Sequence, residues 1–176
     1  KNIVLAKRSH CHDEEMWPLI DANRRFLRQY LFWVDKTNGF DDVAAATKMF
    51  ELHWAAQTKF AYMVLDKHSG KILGSIDIHD IDLTNYIAAI GYWLREDKTG
   101  FGYMSEAVAL LEKETFACGI RRLEITCDSQ NRASAGVALR CGYQYECTQK
   151  EVIFHYGEFH DREIYVKFNP KRKIPC

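Results

Sequence analysis

Two glycines one residue apart, Gly100 and Gly102, stand between an apolar run and an amphipathic one, and this junction constrains the fold most. Ile87-Ala88-Ala89-Ile90-Gly91-Tyr92-Trp93-Leu94 reads as a strand, Thr99-Gly100-Phe101-Gly102 as a turn, and Tyr103-Met104-Ser105-Glu106-Ala107 as the start of a helix. Without Cβ atoms the turn lets backbone amides approach a ligand closely. The helix adds unpaired N–H groups and the positive end of its dipole at the same point. Together they suit a phosphate or pyrophosphate. A tight connection with no ligand would use the same residues, and a lone Gly-x-Gly does not separate the two readings.

The 176 residues fit one domain, expected over 1–170, followed by a basic tail at 171–176 containing Lys171-Arg172-Lys173. Hydrophobic residues at 47% and charged residues at 27% mark a globular chain rather than a disordered one. Lysine plus arginine equals aspartate plus glutamate at 24 each, so direct nucleic-acid or membrane binding is not expected. No apolar run approaches the roughly 18 residues of a membrane span. The N-terminus lacks the shape of a signal peptide. It also lacks methionine, as a trimmed chain or a piece of a longer protein would.

The six cysteines, at 11, 118, 127, 141, 147 and 176, include no Cys-x-x-Cys pair. They read as free, small buried hydrophobes of a reducing, cytoplasmic setting. His10-Cys11-His12 offers too few ligands for zinc, since neighbours on an extended segment face opposite ways. No metal is expected.

Apolar spacing predicts a helix from Asp13 to about Tyr30, carried by Met16, Leu19, Ile20, Asn23, Phe26 and Leu27. A second runs from Asp41 to about Thr58 through Val43, Ala46, Met49, Phe50 and Trp54. Strands follow at 60–66 and 72–81, the second with Ser75, Asp77 and His79 on one face. After the strand at 87–94, a helix over 104–118 has Met104, Ala107, Val108, Leu111 and Thr115 as its inner stripe. A strand at 123–128, a helix at 133–140 and a hairpin over 143–168 turning near Tyr156-Gly157-Glu158 complete an α/β (α+β) chain.

This order of elements resembles the GCN5-related N-acetyltransferases (GNAT), in particular the RimJ/RimL-like branch that acetylates protein N-termini. Ile90-Gly91-Tyr92-Trp93-Leu94 is similar to that branch's strand before the cofactor loop, and Gly100-Phe101-Gly102-Tyr103-Met104-Ser105-Glu106-Ala107 to the loop and helix start. Asn131-Arg132-Ala133-Ser134 with Arg140-Cys141-Gly142-Tyr143 resembles its next helix. Gly157-Glu158-Phe159-His160-Asp161 resembles its late hairpin, and Trp33 an aromatic near the end of its first helical region. The likeness covers most of residues 5–168.

The resemblance implies a mixed, mostly antiparallel sheet flanked by helices and splayed at a central V-shaped gap, between 87–94 and 122–128, that holds acetyl-CoA. It implies that Tyr92, Trp93 and Leu94 contact the cofactor, a backbone amide polarising the thioester carbonyl. It further implies that Thr99, Gly100, Phe101, Gly102, Tyr103 and Met104 hold the pyrophosphate, that Asn131 contacts the cofactor arm, and that Ser134 protonates the leaving thiolate of coenzyme A. Read from the residues alone, Asn131 and Ser134 also suit capping of the helix at 133–140. Thr99 stands where the superfamily often has Gln or Arg, Ala138 where many members have a tyrosine acid, and Ala89 where the branch often has glutamate.

The general base is therefore open. Asp77 and His79 are candidates for base or water relay, or plain polar positions on a half-buried strand. Phe32, Trp33, Phe40, Trp54 and Phe60 lie where the family shapes its acceptor cleft. Helical spacing makes most of them core, while Trp33, Phe40 and His79 are the substrate-binding candidates. The expected reaction is direct acetyl transfer to a primary amine, an α-amine of a protein or peptide N-terminus. The alternatives are a small-molecule amine, such as an aminoacyl-nucleotide or other antibiotic in self-resistance, and a CoA-binding module without catalysis. A homodimer is compatible with each.

Overall fold

The computed structural model describes residues 2–171, so most of the expected basic tail lies outside the described residues. Seven strands form one mixed sheet: β1 Ile3–Lys7, β2 Phe60–Asp66, β3 Ile72–Asp82, β4 Ile87–Leu94, β5 Arg122–Asp128, β6 Gln144–His155 and β7 Glu158–Phe168. Their order is β1-β2-β3-β4-β5-β7-β6. The helices are α1 Asp13–Ala22, α2 Arg24–Leu27, α3 Phe40–Ala55, α4 Tyr103–Ala117 and α5 Arg132–Arg140. The chain divides into two compact units, Lys1–Asp77 with Tyr92–Ala107, and Ile78–Gly91 with Val108–Cys176; β3, β4 and α4 run through both.

In the first unit, β1 and β2 pair antiparallel from Ile3↔Asp66 to Lys7↔Tyr62. The apolar stripes of α1 and α3 meet the sheet in a core of Met16, Leu19, Ile20, Val43, Met63 and Ile72. The long helix expected to Tyr30 ends at Asn23 instead. There the Asn23 amide donates to Leu19 O (2.8 Å), and its side-chain oxygen accepts from Glu96 N (2.9 Å). A side chain that bonds its own backbone competes with the helical ladder in this way. Arg24 then fastens the following connector, donating to Val34 O and Thr37 O at 2.6 Å each.

Of the five aromatics in the expected acceptor segment, three are exposed: Phe32 at 48%, Trp33 at 37% and Phe40 at 45%. On α3 the buried positions are Val43 and Thr47, and Met49 faces solvent. Thr47 is buried because it belongs to a polar network. Arg8 Nε donates to Thr47 Oγ1 (3.0 Å), Thr47 donates to Asp13 Oδ1 (2.6 Å), and Asp13 Oδ2 meets His10 Nδ1 (2.7 Å). Burial pushes the Arg8 guanidinium down to about 10, against the opposing pull of Asp13 and Asp77. His10-Cys11-His12 forms a short 3-10 turn rather than an extended segment, with His10 on Asp13 and His12 Nδ1 accepting from Ser9 N.

In the second unit, β4 and β5 pair in parallel over Ile87↔Arg122, Ala88↔Leu123 and Ala89↔Glu124. Parallel neighbours need a crossover, and α4 lies in that connection. Its buried face is the expected one: Met104, Ala107, Val108, Leu111 and Thr115. β5 pairs antiparallel with β7 from Arg122↔Phe168 to Asp128↔Arg162. β6 joins β7 in a hairpin that bulges between Gln149 and Ile153. Asp161 holds the bulge, accepting from Glu151 N (3.0 Å) and Lys150 Nζ (2.7 Å), which keeps its carboxyl below the usual range.

Of the five described cysteines only Cys127 is buried; Cys11, Cys118 and Cys147 are exposed, which corrects the expectation of buried thiols. No helix among the described residues is long and apolar enough to cross a membrane.

Candidate active site

The glycine turn is built as its sequence requires. After β4, Arg95 Nε pairs with Asp97 Oδ1 at 2.6 Å, and Thr99 Oγ1 donates to Glu96 O at 2.8 Å, closing a short 3-10 turn. Gly100 and Gly102 follow at φ +83° and +82°, in the left-handed region that side chains avoid. A Cβ added at either would meet no protein atom within 4 Å, so the turn opens onto free space. The ladder of α4 begins with Glu106 N donating to Gly102 O at 3.0 Å. The amides of Tyr103 and Met104 therefore precede the first intrahelical donor, Glu106 N, at the N-terminal end of the helix. This cradle fits a pyrophosphate. Thr99 has already committed its hydroxyl hydrogen to Glu96, which leaves backbone amides as the donors. Just before the turn, Tyr92, Trp93 and Leu94 are half-buried, and the Trp93 ring lies 6.0 Å from that of Trp33.

In the second unit the segment after β5 settles which residue caps α5. Asn131 is the N-cap, its side-chain oxygen accepting from Ser134 N at 3.1 Å. Ser134 is not needed for that task. Its hydroxyl instead hydrogen-bonds the Cys127 thiol, which is pushed up to about 11 by burial and then by the nearby Glu163. Ala138, at the position of the superfamily's tyrosine acid, is fully buried. On the opposite side of β5, by strand alternation, lie Glu124, Thr126 and Asp128. Asp128 Oδ2 meets His160 Nδ1 at 2.6 Å, while its Oδ1 accepts from Gln130 N at 2.8 Å, fixing the turn into α5.

A cavity of about 190 Å³ opens on this side, lined by His79, Ala89, Glu124, Thr126, Gln149 and Arg162 among others. His79 is thus in a cavity, with Nε2 3.7 Å from Asp80 Oδ2. Asp77 takes part in an ion pair with Lys59 at 3.2 Å. Phe40 and Trp33 belong to the first unit as exposed aromatics.

The family profile described as "Acetyltransferase (GNAT) domain" matches residues 9–144. The chain belongs to the GNAT acetyltransferase family. The ribosomal-protein-serine acetyltransferase of Escherichia coli (strain K12) is 30% identical over 158 residues, covering 89% of this chain and 87% of that protein. Among solved structures, the microcin C7 self immunity acetyltransferase MccE in complex with acetyl-CoA and AMP superposes with a TM-score of 0.91 at 27% identity. It covers 96% of this chain and 93% of its own. RimL, a ribosomal L7/L12 alpha-N-protein acetyltransferase in complex with coenzyme A, does so at 0.91 and 25%, covering 96% and 94%. The fold expected from the sequence is the fold observed, and the enzyme is an N-acetyltransferase that takes its acetyl group from acetyl-CoA.

Within the acetyltransferase, the expected cofactor residues 92–94 and 99–104 fall in one unit, and Asn131 and Ser134 in the other with His79. Sequence reasoning missed Glu124 and Arg162. Alternation along 123–128 places Glu124 on a polar face, but the cavity exists only because β7 pairs beside β5 and brings Arg162 to it.

Proposed function

We propose that the enzyme acetylates the α-amino group of a protein or peptide N-terminus. The observation that carries this reading is Ala89, a 7% exposed methyl group on β4 where the RimJ/RimL-like branch often has glutamate. Without that carboxylate the acceptor has to be an amine that loses its proton easily. An α-amine of pKa about 7.8 is roughly 14% neutral at pH 7, and a lysine of pKa about 10.4 roughly 0.04%. The difference is about 3.5 kcal/mol, which a lysine-specific site would have to supply with a strong base. The 30% identity to a ribosomal-protein-serine acetyltransferase over nearly the whole chain supports the same choice.

In this reading the amides of residues 99–104 bind the pyrophosphate, and Asn131 orients the pantetheine arm. Acetyl-CoA supplies an activated thioester when bound. A backbone N–H of Tyr92–Leu94 polarises its carbonyl oxygen, which lowers the barrier to attack by the amine. Ser134 Oγ donates a proton to the departing sulfur. Proton loss from the α-ammonium goes to water or to His79, whose imidazole lines the cavity. The exposed thiols of Cys11, Cys118 and Cys147 suit a reducing compartment, and we place the enzyme in the cytoplasm.

A second reading, a small-molecule amine, is favoured by the exposed Trp33 and Phe40, which offer rings for stacking against a planar acceptor. Steady-state release of the CoA thiol with Ser- and Ala-starting peptides, a lysine peptide blocked at its terminus, and amino-nucleosides separates them. Preference for the first group supports the proposal. Preference for amino-nucleosides replaces it with the second reading, and no release with any amine leaves a CoA-binding module.

A further inference from the structure

The cavity in the second unit is lined by one carboxylate and one guanidinium, Glu124 and Arg162. Glu124 Oε1 accepts from Arg122 Nε at 2.6 Å, but Arg122 also bonds Glu146 through its terminal nitrogens, one at 2.7 Å. One guanidinium therefore serves two carboxylates, and the cluster keeps an excess negative charge beside the cavity. Arg162 lines the same cavity, half-buried, and among the described residues its guanidinium has no hydrogen-bond or ion-pair partner. Register explains the arrangement: Arg162 stands between Asp128 of β5 and Gln149 of β6, and Asp128 is engaged by His160. Ile87 and Ala89 of β4, with Ile164 of β7, make the apolar part of the lining. Ala89 lies directly across the parallel ladder from Glu124.

A half-buried guanidinium keeps its N–H donors available to an acceptor oxygen that a ligand brings in. An ammonium flanked by a carbonyl oxygen completes both groups at once. At about 190 Å³ the cavity is also below the roughly 300–1,000 Å³ of sites that enclose a whole small molecule, so it suits the end of a chain.

We infer that this cavity reads the acceptor as an amino-terminal residue, with Glu124 taking the α-ammonium and Arg162 the carbonyl oxygen of that first residue. The inference rests on the acetyltransferase reading of the same site and names how its substrate class is selected. Glu124 acts by charge, drawing in the cationic form of the amine before it loses its proton. Arg162 acts by geometry, since a lysine side chain has no carbonyl next to its amine. Ala89, on the same face as Glu124, leaves room for a small first side chain.

The test uses Glu124→Gln and Arg162→Gln, each checked for native circular dichroism and for unchanged CoA affinity. Binding of a Ser-starting peptide to the CoA-loaded enzyme is measured by calorimetry, which needs no turnover. Acetylation of that peptide is compared with acetylation of ethanolamine, a primary amine with the serine hydroxymethyl group and no carbonyl, each variant being referred to the parent enzyme on the same acceptor. Glu124→Gln is expected to weaken peptide binding at least tenfold and to lower kcat/KM for both acceptors. Arg162→Gln is expected to weaken peptide binding tenfold and leave kcat/KM for ethanolamine within twofold. Peptide affinity within twofold of the parent in both folded variants overturns the inference while leaving the transferase reading intact. Charge-dependent peptide binding without turnover supports the cavity assignment and overturns the transfer. A parent enzyme that neither binds nor acetylates the peptide overturns both.

Discussion

Gly74→Ala should displace the backbone that we assign to the thioester carbonyl. A Cβ at this position of β3 would lie 2.1 Å from Trp93 O, 2.9 Å from Leu94 Cα and 3.0 Å from Trp93 C. All three are backbone atoms, so no rotamer change relieves the overlap. The backbones must part by about 0.9 Å before the shortest contact reaches 3.0 Å. Overpacking of this kind costs about 1–3 kcal/mol of stability. The catalytic cost is of similar size, because a shift near 1 Å in a positioning group lowers the rate about 10²-fold, or about 2.7 kcal/mol. The assay is kcat for a Ser-starting peptide at saturating acetyl-CoA, beside a thermal melt. Gly70→Ala is the control: at φ +71° with no atom within 4 Å, it strains the β2–β3 turn without touching β4. A folded Gly74→Ala enzyme with parental kcat would refute the claim that the Trp93–Leu94 backbone does chemical work.

Gly102→Val adds a side chain at φ +82°, a local cost of about 1–2 kcal/mol that leaves the fold standing, and should abolish measurable CoA binding. Unchanged CoA affinity by calorimetry would remove the pyrophosphate assignment. Ser134→Ala should lower the single-turnover rate about 10²-fold with little change in melting temperature, whereas Asn131→Ala should lose about 1 kcal/mol of stability as the cap disappears. Near-normal transfer by Ser134→Ala would contradict the proton-donor role. Burial raises the Cys127 thiol from 9.0 to about 11, so at pH 8 iodoacetamide should label Cys11, Cys118 and Cys147 well before Cys127, as read by peptide mass spectrometry. Because the folded value lies above the unfolded one, this group's contribution to stability is intact below pH 9 and declines as pH rises toward about 11. Early labelling of Cys127 would show the thiol to be accessible.

The elements that depend on local pattern were legible in the sequence. The inner stripe of α4 is buried residue for residue, and the positive φ at Gly100 and Gly102 follows from what only glycine tolerates. What the sequence hid depends on partners far along the chain. Asn23 ends α1 partly because Glu96, 73 residues later, offers it an N–H. Thr47 is buried because Arg8 and Asp13 meet it, and no periodicity announces a polar core position. The exposed Phe32 shows the converse, since aromatic character alone does not report burial. Of the candidate site, the glycine turn and the Asn131-x-x-Ser134 spacing were readable, and the structure separated their tasks by giving the cap to Asn131 alone. Glu124 and Arg162 were not readable, because they meet only through the register of β5, β7 and β6.

The central claim, α-amine selectivity, is tested most directly by offering both amines on one molecule. A peptide with a free N-terminal serine and an internal lysine is incubated with the enzyme and acetyl-CoA at pH 7, and fragment-ion mass spectrometry locates the acetyl group. The account predicts acetylation of the serine α-amine, with the lysine unmodified until the terminus is saturated. Acetylation of the lysine first would contradict it.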